Sequence, residues 1–177
     1  LVIKGLIVEP EAMDVIDFVR KLGYEIIYNH AECIIYNKTE DKKILKYKII
    51  PDRIEAMTFI IMGLLTGNIL VKNSNIEHYH YPLNLLIEAG YNIKIKNRNI
   101  VSKKSRGKSF DINTNTYPGF PTDMQSLFAV LLSVSNGTCV VTENIFENRM
   151  QIFNDLKQSK ALIETKDNKA YIMGVEN

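Results

Sequence analysis

The sequence predicts an α/β protein built from repeated β-α-β-α-β-β units, and three observations lead to that class. Segments 12–37, 80–104 and 150–174 share one plan: an amphipathic helix, a small turn and two short strands. Segments 51–73 and 121–144 share another, running proline, charge, long apolar helix, glycine, strand. The two plans alternate along the chain, and strands alternating with helices argue for helices packed on sheets. The spacing is regular as well. Turn positions Gly23, Gly90 and Lys160 lie 67 and 70 residues apart, and Pro51 and Pro121 lie 70 apart.

Each element has a local reason. The chain opens with a strand, LVIKGLI (1–7), and Val15, Ile16, Phe18, Val19 and Leu22 then fall near helical period. Gly23 stands where the left-handed residue after a helix is needed, and paired strands follow to residue 37. This first unit has no leading strand and helix, so the count is two complete units plus the tail of a third. A strand edge at Leu1 would need a cover. KYKII (46–50) leads into the next unit as a strand, followed by the apolar helix 54–65 after Pro51, Asp52 and Arg53. FDINTNT (110–116) leads into the last unit, where Pro118, Gly119 and Pro121 build a turn. Thr122 or Asp123 then sits where a helix N-cap belongs, ahead of the apolar run 124–134. Gly137 ends that helix, and TCVVTE (138–143) is a strand. Gly90 repeats the role of Gly23, whereas Lys160 in the same slot strains the backbone or shifts the turn. The linkers, 38–43, 72–78 and 103–109, are short.

Composition narrows the function classes. A chain of 177 residues buries roughly 70% of its unfolded surface. Its net charge of +2, from 22 basic and 20 acidic residues, creates no field favouring nucleic acid or a membrane surface. No apolar run approaches the ~20 residues of a spanning helix, and MTFIIMGLL (57–65) is a buried helix face. Cys33 and Cys139 lie in apolar strand-like runs and are expected as reduced core thiols of a cytoplasmic protein. His30, His78 and His80 lack a further ligand at fixed spacing, so neither metal nor other cofactor is expected. Lys103, Lys104, Arg106 and Lys108 have no interleaved aromatics and form a solvated loop rather than a nucleic-acid site.

The acids and the arginine of 117–149 are the candidate chemistry. Asp123 stands at the mouth of a helix, and Glu143, Glu147 and Arg149 lie beyond the next strand. Spacing alone carries no further than that. PGFPTDMQ (118–125), TEN-IFENR (142–149) and, upstream, PDRIEA-x-TF (51–59) carry more. With these motifs in this order, the chain resembles the UDP-N-acetylglucosamine enolpyruvyl transferases (1-carboxyvinyltransferases). The similarity runs over essentially all of the chain but under half of a full-length family member.

The resemblance implies an inside-out, barrel-like enolpyruvate transferase fold with helices inside, here incomplete. Residues 1–49 would be the tail of the first domain and 50–177 about two units of the second. It also implies a reaction of peptidoglycan precursor synthesis, in which the 3-hydroxyl of UDP-N-acetylglucosamine attacks phosphoenolpyruvate and phosphate leaves. That chemistry needs a base at the hydroxyl, cations around phosphate and an acid for the enol ether. By resemblance Asp123 is the base and touches the sugar, the backbone of Ile145 contacts the UDP-sugar, and Arg149 meets an anionic group. Internal symmetry would let Asp52 and Arg53 face the same cleft, but a hinge or packing role is favoured because the family's chain crosses between domains there, and Glu147 orients Arg149. Met57 replaces a small residue usual in the family. The family's catalytic-cysteine loop, its substrate-binding arginines and the Lys-Asn pair that meets phosphoenolpyruvate have no counterpart in the matched stretch. These residues alone are therefore expected to be inactive, with the missing half of the fold or a second chain as partner. The rival reading is a truncated, non-catalytic paralogue that binds a UDP-sugar or dimerises. An RNA-binding repeat is disfavoured by the near-neutral charge.

Overall fold

Apolar alternation and helical period separate cleanly in the computed structural model, which describes residues 1–6, 8–29, 32–38 and 46–176. These fall into two units, Leu1–Ile50 and Pro51–Asn177.

In the first unit, strand β1 (Val2–Lys4), helix α1 (Pro10–Lys21), β2 (Tyr24–Tyr28) and β3 (Glu32–Lys38) follow one another. The sheet order is β1-β3-β2, with antiparallel pairing throughout. Leu1 is held within it, its nitrogen donating to the Ile35 carbonyl at 2.8 Å. Pro10 opens α1, where a missing amide proton costs nothing, and Arg20 and Lys21 complement the dipole in the last turn. Ile16, Ile26 and Cys33 form a small core. The strand expected over 46–50 is absent, because a strand needs a ladder partner and this segment is fastened by a side chain instead. The Tyr47 hydroxyl donates to Asp14 Oδ1 at 2.7 Å, and its ring stands edge-on to Phe18 with centroids 5.0 Å apart. Donation to Asp14 favours the protonated phenol and pushes the Tyr47 pKa up to about 12.

The second unit begins with α2 (Arg53–Thr66), β4 (Ile69–Val71), α3 (His80–Glu88), β5 (Ile93–Lys96) and β6 (Asn99–Ser102). It continues with β7 (Ile112–Asn113), α4 (Gln125–Leu132), β8 (Thr138–Thr142), α5 (Gln151–Gln158), β9 (Leu162–Lys166) and β10 (Lys169–Met173). The sheets are ordered β4-β6-β5 and β7-β8-β10-β9, so in each the later strand of a hairpin lies in the interior. β7 joins parallel to β8 and is shorter than the expected 110–116, because the chain turns at Asn115 toward the proline-rich corner. Met57, Ile60 and Leu64 of α2 and Phe128, Leu131 and Leu132 of α4 are essentially fully buried in one shared core. A helix that is apolar on nearly every side belongs inside a layer, which is where the sequence expectation put these two. Gly63 lets α2 approach the sheet: a Cβ there would collide with Ser102 Oγ.

Two helices of this unit end with the same hydrogen-bond pattern. After α3 the Gly90 amide donates to Ile87 O at 3.0 Å and the Tyr91 amide to Leu86 O at 3.1 Å. After α5 the Lys160 amide donates to Lys157 O at 2.9 Å and the Ala161 amide to Leu156 O at 3.0 Å. Both are Schellman closures, with φ of +85° at Gly90 and +69° at Lys160. Of the two expected outcomes at Lys160, the strained backbone is the one adopted; the turn is not shifted.

Candidate functional site

The corner from Tyr117 to Pro121 delivers the chain to a 3₁₀ turn, Thr122–Met124, rather than directly to α4. The Met124 amide closes that turn by donating to Pro121 O at 3.0 Å. Neither Thr122 nor Asp123 caps the helix with its side chain, which corrects the N-cap expectation. The tight turn carries both side chains away from the first helical amides, and each finds a distant partner. Thr122 Oγ1 donates to Glu143 Oε2 at 2.7 Å, and Arg149 Nη2 donates to Asp123 Oδ1 at 2.8 Å. Asp52 behaves in the opposite way at the start of α2. It is a true N-cap, whose Oδ1 accepts from the amides of Ile54 (2.7 Å) and Glu55 (3.1 Å).

Glu143 is the centre of the arrangement. It follows β8, in phase with the inward residues Cys139 and Val141, and is 2% exposed. Its Oε1 accepts from Thr114 Oγ1 (2.9 Å) and from the amides of Ile145 (2.8 Å) and Phe146 (3.1 Å). Its Oε2 accepts from Thr122 Oγ1 (2.7 Å) and Gln125 Nε2 (2.9 Å). Its own backbone is tied to Asn168: the amide donates to Asn168 O at 2.9 Å, and the carbonyl accepts from Asn168 Nδ2 at 2.8 Å. Burial by itself would push the Glu143 carboxyl up. The donations from Thr122, Ile145, Phe146 and Thr114 outweigh it and hold the group below the usual glutamate range.

Asp123 and Arg149 lie at the surface, with side-chain exposures of 59% and 40%. The guanidinium also stands 5.4 Å from the centroid of the Phe146 ring. Ile145 is partly exposed, and its amide is committed to Glu143, so a backbone contact from it to a ligand would come from the carbonyl. The structure therefore gathers Asp123, Ile145 and Arg149 around Glu143. Arg149 pairs with Asp123, whereas Glu147 lines a cavity of about 470 Å³ together with Phe146, Asn148, Asn154 and Asp167. Arg53 is only 4% exposed and lies over the Tyr117 ring, 5.5 Å from its centroid, behind the corner that leads to Asp123.

Thr114, Thr122, Gln125 and Asn168 escaped the sequence reading as site residues. The inward phase of Glu143 on an otherwise apolar strand face was the available signal, since a buried acid demands donors. The basic loop is partly structural: Arg106 donates to Val134 O (2.9 Å) and Ser135 O (3.2 Å) after α4 and pairs with Glu176 at 3.3 Å. Cys33 and Cys139 are buried and free. Burial, reinforced by Asp111, pushes the Cys139 thiol up to about 12. Among the described residues no His, Cys, Asp and Glu side chains gather as a metal cluster, and His30 lies outside those residues. Among the same residues no helix is long and apolar enough to cross a membrane.

Comparison with known proteins gives consistent findings. The family model described as EPSP synthase (3-phosphoshikimate 1-carboxyvinyltransferase) matches residues 1–177. A UDP-N-acetylglucosamine 1-carboxyvinyltransferase of Methylacidiphilum infernorum is 37% identical over 177 residues, covering 99% of this chain and 42% of the relative. The enzyme of the same name from Thermotoga maritima is 36% identical, with the same two coverages. That of Synechocystis is 39% identical, over 94% of this chain and 39% of the relative. The chain thus spans about two fifths of the length of the curated relatives it matches. Among solved structures, the enolpyruvyl transferase NikO from Streptomyces tendae superposes with a TM-score of 0.81 at 18% identity, covering 98% of this chain and 42% of that one. This likeness is one of fold.

Proposed function

Because the chain belongs to the EPSP synthase (3-phosphoshikimate 1-carboxyvinyltransferase) family, we propose that it is part of a transferase moving the enolpyruvyl group of phosphoenolpyruvate to the 3-hydroxyl of UDP-N-acetylglucosamine. The relatives named for that reaction support the choice of substrate. The observation that carries the reading is the Asp123 carboxylate, released from helix capping and presented to solvent beside the Arg149 guanidinium. Asp123 takes the proton of the sugar hydroxyl as its oxygen bonds to C2 of phosphoenolpyruvate, while C3 gains a proton from an acid supplied outside these residues. C3 then gives up a proton, the double bond re-forms, and phosphate departs with the electrons of the broken C2–O bond. The Ile145 carbonyl orients the sugar, and Arg149 both holds Asp123 and offers a forked donor to substrate anions. The surrounding walls come from a further portion of the fold or from a second chain. Repeated units underlie the architecture, as the strand orders β4-β6-β5 and β8-β10-β9 suggest, and the setting is the cytoplasmic stage of peptidoglycan precursor synthesis.

The 177 residues alone bind UDP-N-acetylglucosamine without releasing phosphate from phosphoenolpyruvate. Calorimetry with UDP-N-acetylglucosamine, paired with a phosphate-release assay, tests both halves. Binding heat that disappears in Asp123→Ala supports the assignment, and identical heats for the parent and Asp123→Ala reject it. Phosphate release by this chain alone would reject the claim of incompleteness.

A further inference from the structure

An exposed ion pair has little power to fix its own geometry, because solvent screens it and long side chains resist ordering. Asp123 and Arg149 are such a pair, yet a base must be held close to its productive position, since a displacement of about 1 Å costs roughly a hundredfold in rate. Their segments are separated by 26 residues and meet through a different side chain. On one side, Glu143 accepts from the hydroxyl of Thr122, the residue before Asp123, and from the side chain of Gln125 at the start of α4. On the other, it accepts from the amides of Ile145 and Phe146, at the head of the loop that ends in Arg149. A third strut reaches Thr114, whose Oγ1 also accepts from the Asn144 amide at 2.7 Å. All five donors are neutral, so each must aim a hydrogen at the carboxylate, and the directions of five such bonds fix both segments at once.

We propose that Glu143 is a positioning residue: its carboxylate ties the turn carrying Asp123 to the loop carrying Ile145 and Arg149, and so sets the geometry of the base. The proposal rests on the reading of Asp123 as the base, and it deepens that reading by naming what holds the base in place. Glu143 itself touches no substrate. Its effect passes through Thr122 and through the amides of the loop.

The test uses the whole chain with ¹⁵N-labelled arginine. Thr122→Val removes one link and leaves the other four donors, Glu143→Gln replaces an acceptor by a donor, and Glu143→Asp keeps the charge. The Arg149 Nε–H resonance reports the pair, with Asp123→Ala giving its broken position, and UDP-N-acetylglucosamine is titrated in parallel. In folded Thr122→Val the resonance moves toward the broken position and affinity falls about tenfold, since misaligned contacts rather than lost ones weaken the site. Glu143→Gln moves the resonance at least as far, and Glu143→Asp restores it in part. An Arg149 resonance unmoved in Thr122→Val overturns the proposal, even if Glu143→Gln fails to fold. So does a loss of stability with the resonance in place, which would make Glu143 a purely structural acid. If the parent chain binds no UDP-N-acetylglucosamine, the functional reading fails, while the resonance still decides the positioning claim.

Discussion

At the scale of single residues, two acids of the same region divide the work by exposure. Glu143 is buried and accepts five hydrogen bonds, so Glu143→Gln turns a donor toward donors and leaves at least one of them unsatisfied. We expect a loss of about 3 kcal/mol, measured by urea unfolding at neutral pH. The pH dependence follows from the direction of the shift. The folded-state pKa of Glu143 is depressed, so its stabilisation is fully present above the unfolded value of about 4.3 and is lost as pH falls through the folded value. The stability gap between the parent and Glu143→Gln should therefore narrow on acidification below about pH 4; a gap that widened there would contradict the depressed pKa. Tyr47 behaves with the opposite sign. Its raised pKa of about 12 means that its contribution is present below the unfolded value and fades as pH climbs toward 12.

At the scale of elements, the two long apolar helices show what local pattern can and cannot settle. Pro51-Asp52 and Pro121-Thr122-Asp123 look alike, and both precede apolar runs, yet the N-cap was expected at the second and a hinge or packing role at the first. Only Asp52 caps. Asp52→Ala should cost about 1 kcal/mol, whereas Asp123→Ala, with no capping bond to lose, should change stability by under about 0.5 kcal/mol; thermal or chemical denaturation of the two variants makes the comparison. The difference arises 21 residues downstream at Glu143, whose carboxylate draws Thr122 away, and no local pattern encodes that. What was legible depended on nearby causes: the burial of α2 and α4, the turn at Gly90 and the β8 strand all follow from adjacent residues. KYKII carried strand-like chemistry but no ladder, because pairing depends on a partner elsewhere in the chain. Lys160 kept a glycine's conformation because two backbone hydrogen bonds of its closure reward it. Lys160→Gly should stabilise the protein by about 1 kcal/mol, read as a higher denaturation midpoint with unchanged slope.

At the scale of the whole molecule, the two units differ in the cores that hold them. Among the described residues, Ile16, Ile26 and Cys33 form the small core cluster of the first, while the second joins α2, α3, α4 and two sheets in one continuous cluster. Amide hydrogen exchange should accordingly be faster in β1–β3 than in β8 and β10, and equal protection in both would contradict this ranking of local stability. Within the second unit, the surface pair and the buried acid respond differently to dissolved ions. Added salt screens the attraction between Asp123 and Arg149, but it has little purchase on a carboxylate gripped by uncharged hydroxyls and amides. Ionic strength thus becomes a dial that loosens the latch while leaving its frame standing, and titrating sodium chloride would let one protein, with no substitution at all, report how much of the alignment at Asp123 belongs to each.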